Sequence, residues 1–441
     1  MKPRKLIMIT LTYLSAMGMV SGCGRTQVDA NQNQTITFWE PDDAGWQPLY
    51  KELVSDFEKS HPNITVKLIN IPEDGYEQKL NTAFAAGLGP DVWVDYYDTE
   101  EYSKGYIQDL DSFIKQDNWN MNQYFQPITN IRTKGENGHY YALPRDVSVD
   151  TIFYNKTLFN KYHVPYPKAG WTMADFEQTA KELTHRQNKD YGMDGATGPG
   201  ADWWLEGYPF VWDLGSDIIS NDGWTASKFL DSPQTIQMVQ VAQNMEKQGS
   251  VMPNALAQTF GSADYATFLS GHLGMTQGTL WGINQLQNTK FQWGSVPLPT
   301  PSGNTQNDSW ADCVMYYMNA QSTHKAATWD FMKYMSGSSA AKVVIQSQTW
   351  IPDVKQAWID TGLSTNSHFA ASFEALNLPT KTADYERSPS WNTIVEPILS
   401  DVWNQIVTPD NDHYENVKQG LQQAAIQVQQ ALNREKSLQV P

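Results

Sequence analysis

The spacing of apolar residues is clearest between positions 35 and 96. Thr35 to Trp39 is a short run of β-branched and aromatic residues, which predicts a buried strand. Trp46, Leu49, Tyr50, Leu53, Val54 and Phe57 follow at helical spacing and predict one apolar helix face. His61-Pro62-Asn63 marks the end of that helix, because the residue before a proline avoids helical geometry. Ile64 to Ile69 then reads as a strand, Tyr76 to Ala86 as a helix closed by Gly87, and Asp91 to Tyr96 as a third strand. This alternation predicts a parallel sheet covered by helices, with ligands expected beyond the carboxyl ends of its strands. Ile152 to Asn155 predicts a further strand, and Trp171 to Leu183 a helix whose first turn suits Thr172 and Asp175. Asp231-Ser232-Pro233 opens another helix running to about Gln248, and His324 to Met335 is also helical. Between Tyr414 and Leu432, Val417, Leu421, Ala424, Ala425, Val428 and Leu432 share one side of a helix.

The N-terminus follows a different pattern. Lys2, Arg4 and Lys5 precede an apolar run from Leu6 to Val20 that ends in Val20-Ser21-Gly22-Cys23. A basic start, a short apolar core and small residues before a cut site make a secretory signal peptide. The run is too short for a stable spanning helix, which needs about 20 residues. Val-Ser-Gly-Cys resembles the bacterial lipobox, in which the thiol of Cys23 would take a diacylglyceryl group and become the mature N-terminus. Two acyl chains anchor durably where one does not. Residues 1–22 are therefore expected to be the leader, and 23–34 the lipidated cysteine with a polar tether. The expected location is extracytoplasmic, on the bacterial cell membrane through the lipid alone.

Composition narrows the function. Loss of Lys2, Arg4 and Lys5 would take the formal charge from −17 to −20, too acidic to favour nucleic acid or anionic lipid as a partner. With Cys23 acylated only Cys313 remains, so no intrachain disulfide can form and the fold must rest on its core. Seventeen Trp and 21 Tyr are a heavy aromatic load; those in loops beside Gly, Asp and Asn suit a ligand with apolar faces and many hydroxyls, such as a sugar.

Seven stretches in order resemble family 1 extracellular solute-binding proteins, the sugar receptors of ABC importers of the maltose-binding-protein type. They are Ile36 to Glu40, Leu80 to Asp91, Tyr141 to Phe159, Phe210 to Gly223, Phe268 to Gly274, Val296 to Pro301 and Ala327 to Met335. The resemblance implies an α/β, two-lobed periplasmic-binding-protein-like fold, with the ligand in a cleft between lobes joined by about three crossings. The N-terminal lobe would comprise 35–147 plus 312–347, and the C-terminal lobe 149–308 plus 350–435. It implies a monomer that delivers a carbohydrate to the permease subunits of an ABC transporter, with no cofactor.

The same resemblance points to ligand residues. Trp39 and Glu40 end the first strand where the family places an acid, although Trp39 would serve equally as core. Asp95 and Asp98 follow the third strand, and spacing does not fix which of the two reaches the ligand. Asp146 and Ser148 occupy the second and fourth positions after Pro144. The family commonly has an acid at the fourth, so Asp146 would do that work here. In the second lobe the paired indoles of Trp203 and Trp204 sit in a glycine-rich loop. Trp281 matches a family tryptophan after the glycine-spaced strand 274–280. Trp310 stands where the family often has a glycine-rich turn, and Arg387 resembles an Arg-Pro segment with one inserted Ser. Trp350 and Trp391 are lesser candidates.

Two other functions compete. Glu40, Asp98 and Asp146 could supply the carboxylate pair of a lipid-anchored glycoside hydrolase, which needs one of two set separations. The same fold could also bind a non-sugar solute, although acidic candidates disfavour phosphate and the tryptophans disfavour small inorganic anions. Eight scattered His without H-x-x-x-H spacing argue against zinc, and no P-loop or G-x-S-x-G motif is present.

Overall fold

The computed structural model of the chain describes residues 33–42, 46–95, 104–135, 137–194, 209–261, 265–301, 309–382, 391–408 and 414–438. Its first strand, β1 (Gln34–Asp42), lies parallel to β2 (Ile64–Pro72) and β3 (Val92–Asp95). The helices Gln47–Ser60 and Tyr76–Ala85 make the connections. Leu49, Tyr50, Leu53, Val54 and Phe57 form the buried stripe of the first helix, as their spacing predicts. The sheet is mixed rather than parallel throughout. β4 (Ala142–Pro144) and β12 (Met315–Met318) close it in the order β2-β1-β3-β12-β4, with β12 antiparallel to both neighbours. Alternation along β1 puts Ile36, Phe38 and Glu40 on one buried face. On that face Phe38 meets Tyr50 at 5.5 Å and Phe331 at 5.2 Å. Trp93 and Tyr317 stack at 5.4 Å on the opposite side, above Phe84.

A second five-stranded sheet has the order β10-β6-β9-β7-β8. Its strands are β6 (Thr151–Asn155), β7 (Tyr191–Asp194), β8 (Val251–Met252), β9 (Leu273–Gly278) and β10 (Trp293–Val296). Asn155 caps the helix Lys156–Tyr162 by accepting from the amides of Thr157 and Leu158. Thr172 and Asp175 form a reciprocal capping box on Met173–Leu183. Ser232 caps Pro233–Gln248. All six apolar residues read from the last helical pattern are buried in Val417–Leu438, packed on Glu396–Ile406.

β5 (Ser148–Val149) and β11 (Ser309–Asp312) each carry the chain from one five-stranded sheet to the other, and with β13 (Thr380–Lys381) they form a third sheet with β11 in the middle. Ser148 and Val149 pair antiparallel with Asp312 and Ala311, while Ser309 and Trp310 run parallel to Thr380 and Lys381. Two α/β lobes therefore hang on a three-strand connection. Among the described residues no helix is long and apolar enough to cross a membrane.

Candidate functional site

The first locus is the carboxyl end of the first sheet. Glu40 follows Phe38 by two residues and so shares its buried face, fully enclosed. Its charge reaches the phenols of Tyr50, Tyr76 and Tyr316. Burial pushes Tyr76 up, and Asp95, at the end of β3, adds to the rise. The Tyr76 hydroxyl donates to the Val94 carbonyl at 2.8 Å, which pins the last turn of strand before Asp95. Trp39 lies half-buried on the other face, with the Lys79 ammonium 5.8 Å above its ring. The structure thus places Glu40 and Asp95 at the carboxyl ends of the neighbouring strands β1 and β3, on opposite faces of the sheet, while Asp98 falls outside the described residues.

The second locus is the connection itself. Asp146 is fully buried and both of its oxygens are engaged. Oδ2 accepts from the Arg145 guanidinium at 3.0 and 2.5 Å, and Oδ1 accepts from the Val314 amide at 3.0 Å. Arg145 also donates to the Tyr50 hydroxyl at 3.1 Å and is flanked by the rings of Trp46 and Trp350 at 4.4 and 5.0 Å. This geometry makes Asp146 a clamp between β4 and β12. Trp350 is a core residue packed 5.1 Å from Tyr50, and Trp391 is likewise buried in the second lobe. A second buried pair fixes β11: Arg132 Nε and Nη2 donate to the two oxygens of Asp312 at 2.5 and 2.7 Å. In contrast, the hydroxyls of Ser148, Ser309 and Thr380 and the indole N–H of Trp310 are buried with no hydrogen bond to another described residue. Such groups are costly when left unsatisfied, and the three short strands of this sheet all carry at least one.

The third locus is aromatic. Trp281 is the second residue of the 3₁₀ helix Leu280–Asn288, and its ring meets Trp310 edge to face at 5.4 Å and 79°. Trp310 is buried. Trp281 is half-buried and touches the apolar cores of both lobes. The two tryptophans proposed from sequence thus meet on the seam between the lobes. Trp203, Trp204, Arg387 and Cys23 lie outside the described residues.

Several polar residues of the second lobe escaped the sequence reading. Asp194 ends β7 and accepts from the Thr276 hydroxyl at 2.7 Å; burial pushes its carboxyl up to about 7. Gln277 donates to the buried Asp150 at 3.0 Å. The signal for Asp194 was its place at the carboxyl end of β7, a four-residue strand too short for the pattern to show.

Two α/β lobes strung on short connecting strands, with carboxylates and tryptophans on the seam, define a hinged solute-binding protein. The model of the bacterial extracellular solute-binding protein family matches residues 40–342, and the chain belongs to that family. Among curated relatives, the multiple sugar-binding protein of Streptococcus mutans is 22% identical over 357 residues, 76% of this chain and 79% of that one. Among solved structures, the sugar-binding protein MalE of Xanthomonas citri superposes with a TM-score of 0.75 at 20% identity, covering 92% of this chain and 98% of that one. An ABC substrate-binding protein of Listeria monocytogenes in complex with cycloalternan gives 0.70 at 24% identity, covering 91% and 100%.

Proposed function

We propose that the protein is a sugar receptor, with an oligosaccharide as the expected ligand, and that it hands this sugar to the permease subunits of an ABC importer without chemistry of its own. The observation that carries the reading is the Trp281–Trp310 pair on the lobe seam, beside connecting strands with buried, unsatisfied hydroxyls. Aromatic faces stack on sugar C–H faces, and the hydroxyls, Glu40 and Asp95 exchange hydrogen bonds with sugar hydroxyls. Sugar-binding relatives and neighbours support this choice of ligand. Three or four such bonds and two rings suffice for micromolar affinity, about −8 kcal/mol. A sugar touching both lobes favours the closed form by its differential affinity for that form.

The lobes are assigned as 35–147 plus 312–347 and 149–308 plus 350–435, with one revision. Trp350 and Trp358 pack on Tyr50 and Phe125, so 350–360 goes with the first lobe. The leader 1–22, lipidation at Cys23, membrane anchoring and a monomeric state complete the proposal. Of the candidate ligand residues, Asp146 is assigned to the clamp, and Trp203, Trp204, Asp98 and Arg387 remain proposed contacts. Thermal unfolding against a panel of mono- and oligosaccharides tests the reading. A stabilising sugar is expected, a flat panel would redirect it to another solute, and slow cleavage of an oligosaccharide would redirect it to a hydrolase.

A further inference from the structure

Away from these three loci, a cavity of about 900 Å³ opens between the lobes, and none of Glu40, Asp95, Ser148, Trp281 or Trp310 lines it. One wall comes from the first lobe: Ile345 and Gln348 at the end of the helix Ser338–Ser347, and Ile351. The facing wall comes from the second lobe: Ile283 and Leu286 of the 3₁₀ helix, then Phe291 and Trp293. Segment 361–369 completes the enclosure, tied to β10 by the Ser295 amide donating to the Ser367 carbonyl at 3.2 Å. A single side-chain bond spans the walls in the described residues, from Gln287 Nε2 to the Gln348 carbonyl at 3.1 Å.

The lining has a definite chemistry. Trp293 and His368 stack at 3.8 Å and 9°, and Phe291 and Phe369 add two more rings. Burial and the Lys156 charge pull the His368 pKa down, so that imidazole is neutral near pH 7. The polar groups are otherwise amides and hydroxyls, among them Gln287, Gln292 and Asn366. Lys156 is the sole cation in the lining and no carboxylate accompanies it; among the described residues no ion pair holds its ammonium. Flat apolar walls, neutral hydrogen-bonding groups and one cation complement a flat aromatic ring bearing one negative charge.

We propose that this cavity is a second ligand site, for a flat aromatic monoanion, and that its occupancy biases the angle between the lobes. The bias rests on the hinged two-lobe reading above. Because the walls belong to different lobes, any rotation about β5, β11 and β13 changes the cavity, and a ligand filling it binds one lobe angle better than another.

The probe is indole-3-acetate, titrated calorimetrically into the full chain without sugar, so failure of the sugar panel leaves this result readable. Lys156→Gln removes the charge at a half-buried position, and Ser367→Phe fills the cavity; unchanged melting temperatures establish that both variants fold. Binding by the wild type is expected, about tenfold weaker in Lys156→Gln, and abolished in Ser367→Phe. Small-angle scattering of the saturated protein is expected to show a changed maximum dimension. No binding, or equal binding by both variants, would overturn the site. Binding with an unchanged scattering profile would overturn its coupling to the lobes.

Discussion

Asp312→Asn tests whether the buried pair on β11 holds the connection together. Arg132 and Asp312 are 2–3% exposed and joined by two bonds of 2.5 and 2.7 Å. The asparagine oxygen can keep the bonds that Oδ1 now accepts from the Cys313 amide and Arg132 Nε, but its NH2 group then faces the Nη2 donor that Oδ2 now accepts from. The Arg132 guanidinium loses its paired carboxylate in a buried site, at a cost of about 3–5 kcal/mol. The one charge-assisted bond lost outright, from Nη2, accounts for about 1.5–3 kcal/mol of that. With a urea slope of about 3 kcal/mol/M, the midpoint should fall by about 1–1.7 M. The double change Arg132→Met with Asp312→Leu removes both charges and should recover most of that loss, giving a large coupling energy in the cycle. Because Asp312 is two residues from Trp310, the single variant should also weaken sugar binding. A loss below about 1 kcal/mol, or a double variant as unstable as the sum of the singles, would refute the clamp.

Trp281→Ala removes one of the two seam rings and should weaken sugar affinity about tenfold or more by calorimetry, with a smaller effect on stability, since the ring is only half-buried. Asp353 is buried, accepts from the Phe125 amide at 2.9 Å and lies 2.6 Å from the Thr129 hydroxyl, and burial raises its pKa to about 8. The unfolded group ionises near pH 4, so from there to about pH 8 the folded state holds a proton that the unfolded state lacks, and stability falls as pH rises through that window. Asp353→Asn should flatten that slope in urea titrations at pH 5 and pH 8.5, whereas an unchanged slope would place the proton elsewhere. Thr172→Ala should cost about 1 kcal/mol through loss of the capping box, read as a urea midpoint shift; no shift would show the cap to be redundant.

The elements legible in the sequence were those long enough to repeat. The 14-residue helix Gln47–Ser60 shows three turns of apolar spacing, and Val417–Leu438 shows more, so both emerged with their buried faces. Caps at Thr172 and Ser232 were legible because one side chain meets one nearby amide. β5 and β13 have two residues each, too few for any period, and their pairing with β11 joins positions far apart in the chain. The antiparallel β12 was hidden for the same reason, which made the first sheet look parallel throughout. Trp281 and Trp310 were named from a family pattern, but their contact depends on a 3₁₀ helix and a connecting strand converging. Asp146 shows the opposite limit: its residue type suited a ligand, and only the position of Arg145 and the Val314 amide showed its carboxylate to be occupied.

The most direct test of the receptor reading is thermal unfolding with a saccharide panel, followed by small-angle scattering with the sugar that gives the largest shift. At about 100 times its Kd, a specific sugar should add about 2.7 kcal/mol of stability, and the scattering should contract as the lobes close. A panel that leaves the melting temperature unchanged, or a stabilising sugar that leaves the scattering unaltered, would contradict a receptor that closes on sugar.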